Sequence, residues 1–215
     1  MIRVLVYGVE QSKIYVANLI HHVHQTRPHI IIIFNTSKIL VEHLTRELKN
    51  ESYTANQFSN WNVNDGYYIF THSESTQIIY KNFKEFSVSR IPLRGFIQLS
   101  VNYLSKTYDI VAASTDADVS TKRRQLNELG NYLSATSNPV IIGVDGKFQR
   151  WQEPPLLLHD SFRDCWREVG TSSNENTNTA RDRYDRVWYN SHAECVTYRV
   201  LESKLDRYAI YTEFE

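Results

Sequence analysis

Four consecutive isoleucines, Ile30–Ile33, closed by Phe34, constrain this chain more than any other feature. β-Branched side chains favour extended backbone, and a strand without polar alternation must be buried on both faces. A fold containing it needs cover on each side, and the flanking sequence supplies helices. "QSKIYVANLIHHVHQ" spaces Ile14, Ala17, Leu19, Ile20 and Val23 along one helical face, and Pro28 ends that helix. "SKILVEHLTRELKN" is a second amphipathic helix, with Ile39, Leu40, Leu44 and Leu48 expected inward. With the β-branched run Ile2 to Val6 in front, the chain opens strand, helix, strand, helix.

From Gly66 the period becomes strand-like. "GYYIFTH", "TQIIYKNF", "GFIQLSVNYL" and "YDIVAAST" are predicted strands. "STKRRQLNELGNYLSAT" aligns Leu126, Leu129 and Leu133 on a helix, with Ser120 or Thr121 as the expected N-cap. "VIIGV" follows Pro139 as a buried strand, and "HDSFRDCWREVG" is expected to form a short helix ended by Gly170. "TSSNENTNTA" is a polar loop. "RYDRVWYN", "ECVTYRVLE" and "DRYAIYTEFE" close the chain as alternating strands. No linker divides the sequence, so residues 1–215 are expected to form one domain of two sheets with helices outside.

At 215 residues the chain is long enough to bury a core. Its 24 basic and 24 acidic side chains cancel, which removes the electrostatic argument for a dedicated nucleic-acid binder. Cys165 and Cys195 make neither a zinc spacing nor a disulfide framework and are read as free thiols. No run approaches the ~18 apolar residues of a membrane span. The expectation is a soluble, intracellular protein, cytoplasmic or nuclear.

Five short motifs lie along the chain in a particular order: "RVLVYGV" ending a strand at Gly8, "PHIIIIFN" reaching Asn35, "STDAD" holding Asp116, "VDGK" with Asp145 and Lys147, and Arg183-Tyr184-Asp185-Arg186. Leu205-Asp206-Arg207 before the final strand makes a sixth position. This order resembles the endonuclease/exonuclease/phosphatase superfamily, most of all its tyrosyl-DNA phosphodiesterase 2 (TDP2) branch. The resemblance implies a four-layer α/β sandwich, two central mixed β-sheets flanked by helices. It also implies metal-dependent phosphodiester hydrolysis at a site built from these motifs.

The residues at that site depart from the family. Gly8 stands where the family has asparagine, Asn35 at the metal-binding glutamate, Asp116 at a histidine, Lys147 at an asparagine, and Arg207 at the closing histidine. Asp145, Asp185 and Asp206 keep the family type. Mg²⁺ prefers an octahedron of hard oxygen ligands, and arginine cannot shuttle a proton. The expectation is a catalytically inactive member acting as a protein-interaction or scaffold subunit, without cofactor, whose Lys147 forms a salt bridge with Asp145. The first alternative is a divergent Mg²⁺-dependent phosphodiesterase or nuclease, with Asp145 and Asp206 as ligands and Asp116 and Asp118 on one side of a strand. The second is a nucleic-acid-binding module using Lys122, Arg123, Arg124, Arg94, Lys147 and Arg207.

Three further features carry less. His21 and His24, three apart on a helix, have metal-pair spacing but no third ligand in the sequence. Arg90 accompanies Arg94 in "SVSRIPLRG". Trp61 in "FSNWNVNDGYY" is the best loop candidate for an exposed recognition aromatic.

Overall fold

The computed structural model describes residues 1–9, 13–56, 66–89, 94–148, 160–171, 177, 184–202 and 207–215. Twelve strands and four helices lie among them. Their order is β1 (Ile2–Gly8), α1 (Lys13–Thr26), β2 (Ile30–Thr36), α2 (Lys38–Asn50), β3 (Tyr53–Asn56), β4 (Gly66–His72), β5 (Gln77–Glu85) and β6 (Gly95–Tyr103). Then come β7 (Lys106–Ser114), α3 (Val119–Leu133), β8 (Val140–Asp145), β9 (Phe162–Asp164), α4 (Cys165–Val169), β10 (Asp185–Asn190), β11 (Cys195–Leu201) and β12 (Ala209–Phe214).

The strands form two six-stranded sheets, ordered β11-β12-β1-β2-β4-β3 and β5-β6-β7-β8-β10-β9. Each is mixed: β1–β2 and β7–β8 are parallel, and the other neighbours are antiparallel. The isoleucine run explains the layering. Ile30, Ile32 and Phe34 point between the sheets, while Ile31 and Ile33 pack under α1 and α2. β8 repeats the pattern, with Ile141 between the sheets and Val140, Ile142 and Val144 under α3. Successive strand residues face opposite ways, so an unbroken apolar strand is what a doubly covered position requires. The result is the expected four-layer α/β sandwich.

Several local expectations are corrected. Ile39 is 80% exposed; α2 instead buries Leu40, Val41, Leu44 and Leu48. Ser37 caps that helix, its side chain accepting from the Leu40 amide, which sets the phase and turns position 39 outward. In α1, Ala17 is exposed, and Tyr15, Val16, Leu19 and Val23 face the sheet; the Ile14 side chain lies outside the described residues. The N-cap of α3 is Asp118, not Ser120 or Thr121. Its Oδ2 accepts from the Thr121 amide at 2.9 Å and from both hydroxyls at 2.7 Å. A carboxylate at that end also meets the positive pole of the helix. In "HDSFRDCWREVG" only Cys165–Val169 is helical, because Phe162–Asp164 pairs with β10. The short edge strand β3 was not anticipated.

No described helix is long and apolar enough to cross a membrane.

Candidate functional site

Strand register gathers the motif positions at one end of the sandwich. Gly8 pairs with Phe34, which places Asn35 one residue beyond, and Asp145 pairs with both Ser114 and Asp185. Arg207 enters from the other side, just before β12. Gly8, Asp145, Asp185 and Arg207 therefore do meet. Asp206 and Arg183 lie outside the described residues, as do Arg90 and Trp61.

The centre is an ionic triad spanning the two sheets. Arg207 Nη1 lies 3.2 and 3.3 Å from the two Asp185 oxygens and 3.5 Å from Asp145 Oδ1. All three residues are buried; Asp145 has no exposed surface. Neither Asp145 oxygen completes a well-directed hydrogen bond among the described residues, so its compensation is Coulombic. Burial pushes the Asp185 carboxyl up to about 7; Arg207 opposes that shift and the Asp145 charge adds to it. Burial alone would lower the Arg207 pKa, but Asp185 and Asp145 outweigh it and hold the guanidinium above its ordinary value. One guanidinium cannot neutralise two carboxylates, and a proton held by Asp185 settles the difference below neutral pH.

Gly8 makes room for the guanidinium. A Cβ there would stand 2.6 Å from Arg207 Nη1 and 3.0 Å from Asp185 Oδ2. Asn35 has a backbone reason of its own: its φ is 59°, a left-handed conformation asparagine tolerates well.

Lys147 does not form the expected salt bridge with Asp145. Among the described residues no carboxylate stands within 4 Å of its ammonium, and Arg207 supplies the cation instead. The cause is the turn after β8. Lys147 takes φ 46° and Phe148 folds back over Gly146, where a Cβ would lie 1.9 Å from the ring. The Lys147 carbonyl accepts from Lys122 Nζ at 3.3 Å.

The phosphate-contact set also divides. Lys122 is fully buried with its ammonium 4.8 Å from the Phe148 ring centre, and burial, helped by Arg186, pulls its pKa down to about 8. Arg186 lies on the same ring at 4.1 Å and pairs with Asp164 at 3.8 Å. Arg94 is buried and donates to the Ser114 hydroxyl. Lys122 and Arg94 therefore hold the fold and cannot reach a ligand. Arg123 and Arg124 are exposed.

The carboxylates proposed for a rearranged metal cluster point elsewhere. Asp116 accepts from Gln125 Nε2 at 2.7 Å and Ser89 Oγ at 3.2 Å, while Asp118 caps α3. They share neither a strand nor a target, because β7 ends at Ser114. His24 pairs with Glu51 at 2.9 Å, away from any partnership with His21.

Among the described residues, the donors do not fit a catalytic divalent ion. Gly8 has no side-chain ligand atom, Asn35 carries no charge, and both central carboxylates are shared with Arg207. No group of three or more His, Cys, Asp or Glu with metal-binding geometry occurs among the described residues. A dication about 4 Å from a guanidinium is repelled by on the order of 8 kcal/mol at an effective dielectric of about 20.

Two contributors were missed from sequence. Tyr184 sets its ring 5.1 Å from the Arg207 guanidinium carbon. Thr177 accepts the Asp185 amide on its hydroxyl at 3.2 Å and the Tyr208 amide on its carbonyl at 3.0 Å. Tyr184 lies inside the Arg-Tyr-Asp-Arg motif and could have been suspected. Nothing distinguishes Thr177 within a polar loop.

No family model and no curated protein sequence matches this chain. Solved structures do. D. rerio TDP2 complexed with a single-strand DNA product superposes with TM-score 0.86 at 13% identity, covering 100% of this chain and 98% of that one. An endonuclease/exonuclease/phosphatase family protein from Bacteroides thetaiotaomicron gives 0.84 at 10% identity, covering 99% and 97%. The human Nocturnin catalytic domain with bound sulfate gives 0.79 at 15% identity, covering 100% and 94%. Taken with the paired sheets and the triad at their shared end, these matches establish that the chain has the endonuclease/exonuclease/phosphatase fold.

Proposed function

We propose that this protein is a catalytically inactive member of the fold that works as a protein-interaction or scaffold subunit. The observation that carries the reading is Arg207, seated between Asp145 and Asp185 against Gly8. A fixed protein cation there supplies one positive charge where a divalent ion would bring two, and it offers no open coordination positions. An arginine also cannot exchange a proton with a leaving group near neutral pH.

The test is hydrolysis of an activated phosphodiester, bis-p-nitrophenyl phosphate, with Mg²⁺ or Mn²⁺ at millimolar concentration. The expected rate equals the protein-free rate and is unchanged by Asp145→Ala. A metal-dependent rate that Asp145→Ala removes contradicts the reading and restores the divergent phosphodiesterase.

Nucleic-acid binding is kept as a second reading. It is supported by the exposed Arg123 and Arg124 and by the DNA product in the similar D. rerio structure. Single-stranded DNA binding that weakens steeply with salt and falls in Arg123→Glu/Arg124→Glu favours it; a flat salt response removes it.

A further inference from the structure

We infer that a cavity at the end of the first sheet away from the triad binds a phosphate group, as free phosphate or on a small monoester. The cavity measures about 680 Å³. β1 runs from Ile2 at this end to Gly8 at the triad, and β2 runs from Ile30 to the Asn35 end. The site therefore shares no residue with Asp145, Asp185 or Arg207, and it goes beyond the proposed loss of catalysis without depending on it.

His29 lines the cavity although it is only 8% exposed. Its amide donates to the Arg3 carbonyl at 2.8 Å, and its carbonyl accepts the His72 amide at 2.9 Å. Its Nδ1 accepts the Arg3 amide at 3.0 Å, which fixes the ring. A neutral imidazole that accepts on Nδ1 carries its proton on Nε2. Burial, then Arg3 and His72, lower the His29 pKa to about 4, so the ring is neutral at pH 7 and Nε2–H is a donor.

Arg3 Nη2 stands 3.1 Å from that Nε2. A guanidinium nitrogen only donates, so the two N–H groups face each other and neither accepts from the other. One anionic oxygen accepting from both replaces that conflict with two hydrogen bonds, one of them charge-assisted.

The surroundings favour an anion. Among the described residues, neither the Arg3 nor the Arg27 guanidinium has a carboxylate within 4 Å. Glu213, opposite Arg3 across the β1–β12 pairing, gives its oxygens to the Thr197 and Tyr211 hydroxyls at 2.6 Å. Glu51 is the acidic residue of the described lining, and His24 engages it at 2.9 Å. Arg27 follows α1 with φ 45°, a left-handed position more often given to glycine, and it puts a second guanidinium at the cavity. Two arginines and an imidazole N–H around one space suit a tetrahedral oxyanion with several acceptor oxygens; a carboxylate is satisfied by a single arginine. Val23 and Pro28 add apolar wall where the organic part of a monoester can rest.

The test titrates the folded protein with inorganic phosphate and, separately, with phenyl phosphate, at constant ionic strength set by sodium chloride. Calorimetry measures affinity, and nitrogen-15 spectra follow the His29 ring and the Arg3 side chain. Saturable binding at one site is expected, with both sets of signals shifting along the same curve. Arg3→Gln should weaken it by roughly tenfold or more. Arg27→Gln, an exposed change, should weaken it by about threefold or more. Lys38→Gln, which removes an exposed charge elsewhere, should leave it unchanged. Equal affinity for the two ligands identifies free phosphate as sufficient, and tighter phenyl phosphate identifies a monoester; both results support the site. If Arg3→Gln does not fold, Arg27→Gln and the His29 signals decide. No saturation by about 10 mM ligand, a His29 ring that does not respond, or binding that Arg27→Gln leaves unchanged would each overturn the inference.

Discussion

Arg207 and Gly8 depend on each other: the guanidinium Nη1 stands 2.6 Å from the point a Cβ on Gly8 would occupy. Positions 8 and 207, far apart in the sequence, are neighbours in space. A side chain at position 8 would compete with the Arg207 guanidinium for the space it occupies, so a change at either position bears on the other.

Double-mutant coupling follows from that competition. Gly8→Ala should destabilise the wild-type protein by about 2 kcal/mol or more, because the clash displaces a buried, charge-paired guanidinium. In an Arg207→Ala background the same substitution should cost at least ~1 kcal/mol less. Denaturant melts of the four proteins check it; additive costs would deny the coupling.

Removing Arg207 alone should be expensive. Arg207→Met leaves Asp145 and Asp185 buried without their cation, a loss on the order of 3–5 kcal/mol. Urea melts measure it. Adding Asp185→Asn to Arg207→Met should recover part of that stability, because it removes one of the stranded charges.

The pH dependence has a definite sign. Asp185 is raised to about 7 in the folded protein against 3.8 for the ordinary side chain, so the folded state binds more protons across that window. Its contribution to stability is greatest below about pH 4 and is lost as pH rises through 7. His29 runs the other way: burial, with Arg3 and His72 nearby, lowers it to about 4, so its contribution falls as pH drops from 6.5 toward 4. The difference between wild type and Asp185→Asn isolates the first effect. It should change by more than ~1 kcal/mol from pH 4 to pH 7.5.

The buried stack after β8 separates packing from charge. Phe148→Ala should cost about 3–5 kcal/mol, since the ring carries Lys122, Arg186 and Trp188. Arg123→Glu on the exposed face of α3 should stay within about 0.5 kcal/mol of wild type. Thermal melts of both variants compare them directly.

Much of the architecture was legible because burial leaves a periodic trace. The isoleucine run, the leucines of α3 and the apolar β8 each declared how many faces they bury. Ile39 misled because helical spacing gives a stripe but not its phase, which Ser37 fixes by capping. The site was legible as a list of positions and less so as contacts. Lys147 lies two residues from Asp145 in sequence, yet the cation on Asp145 comes from Arg207, in the opposite sheet's chain segment. Lys122 read as a basic surface patch with its two neighbours, although one residue of any helical triplet can face inward, and this one does. Such choices are made by tertiary packing and leave no local signal.

Calorimetric titration with Mn²⁺ of wild type and Arg207→Ala, side by side, tests the central claim most directly. No binding heat is expected from wild type at millimolar ion. Measurable binding is expected from Arg207→Ala, where two buried carboxylates face the space the guanidinium left. Binding to wild type that Asp145→Ala abolishes would show that the triad yields to a metal and that Arg207 does not close the site.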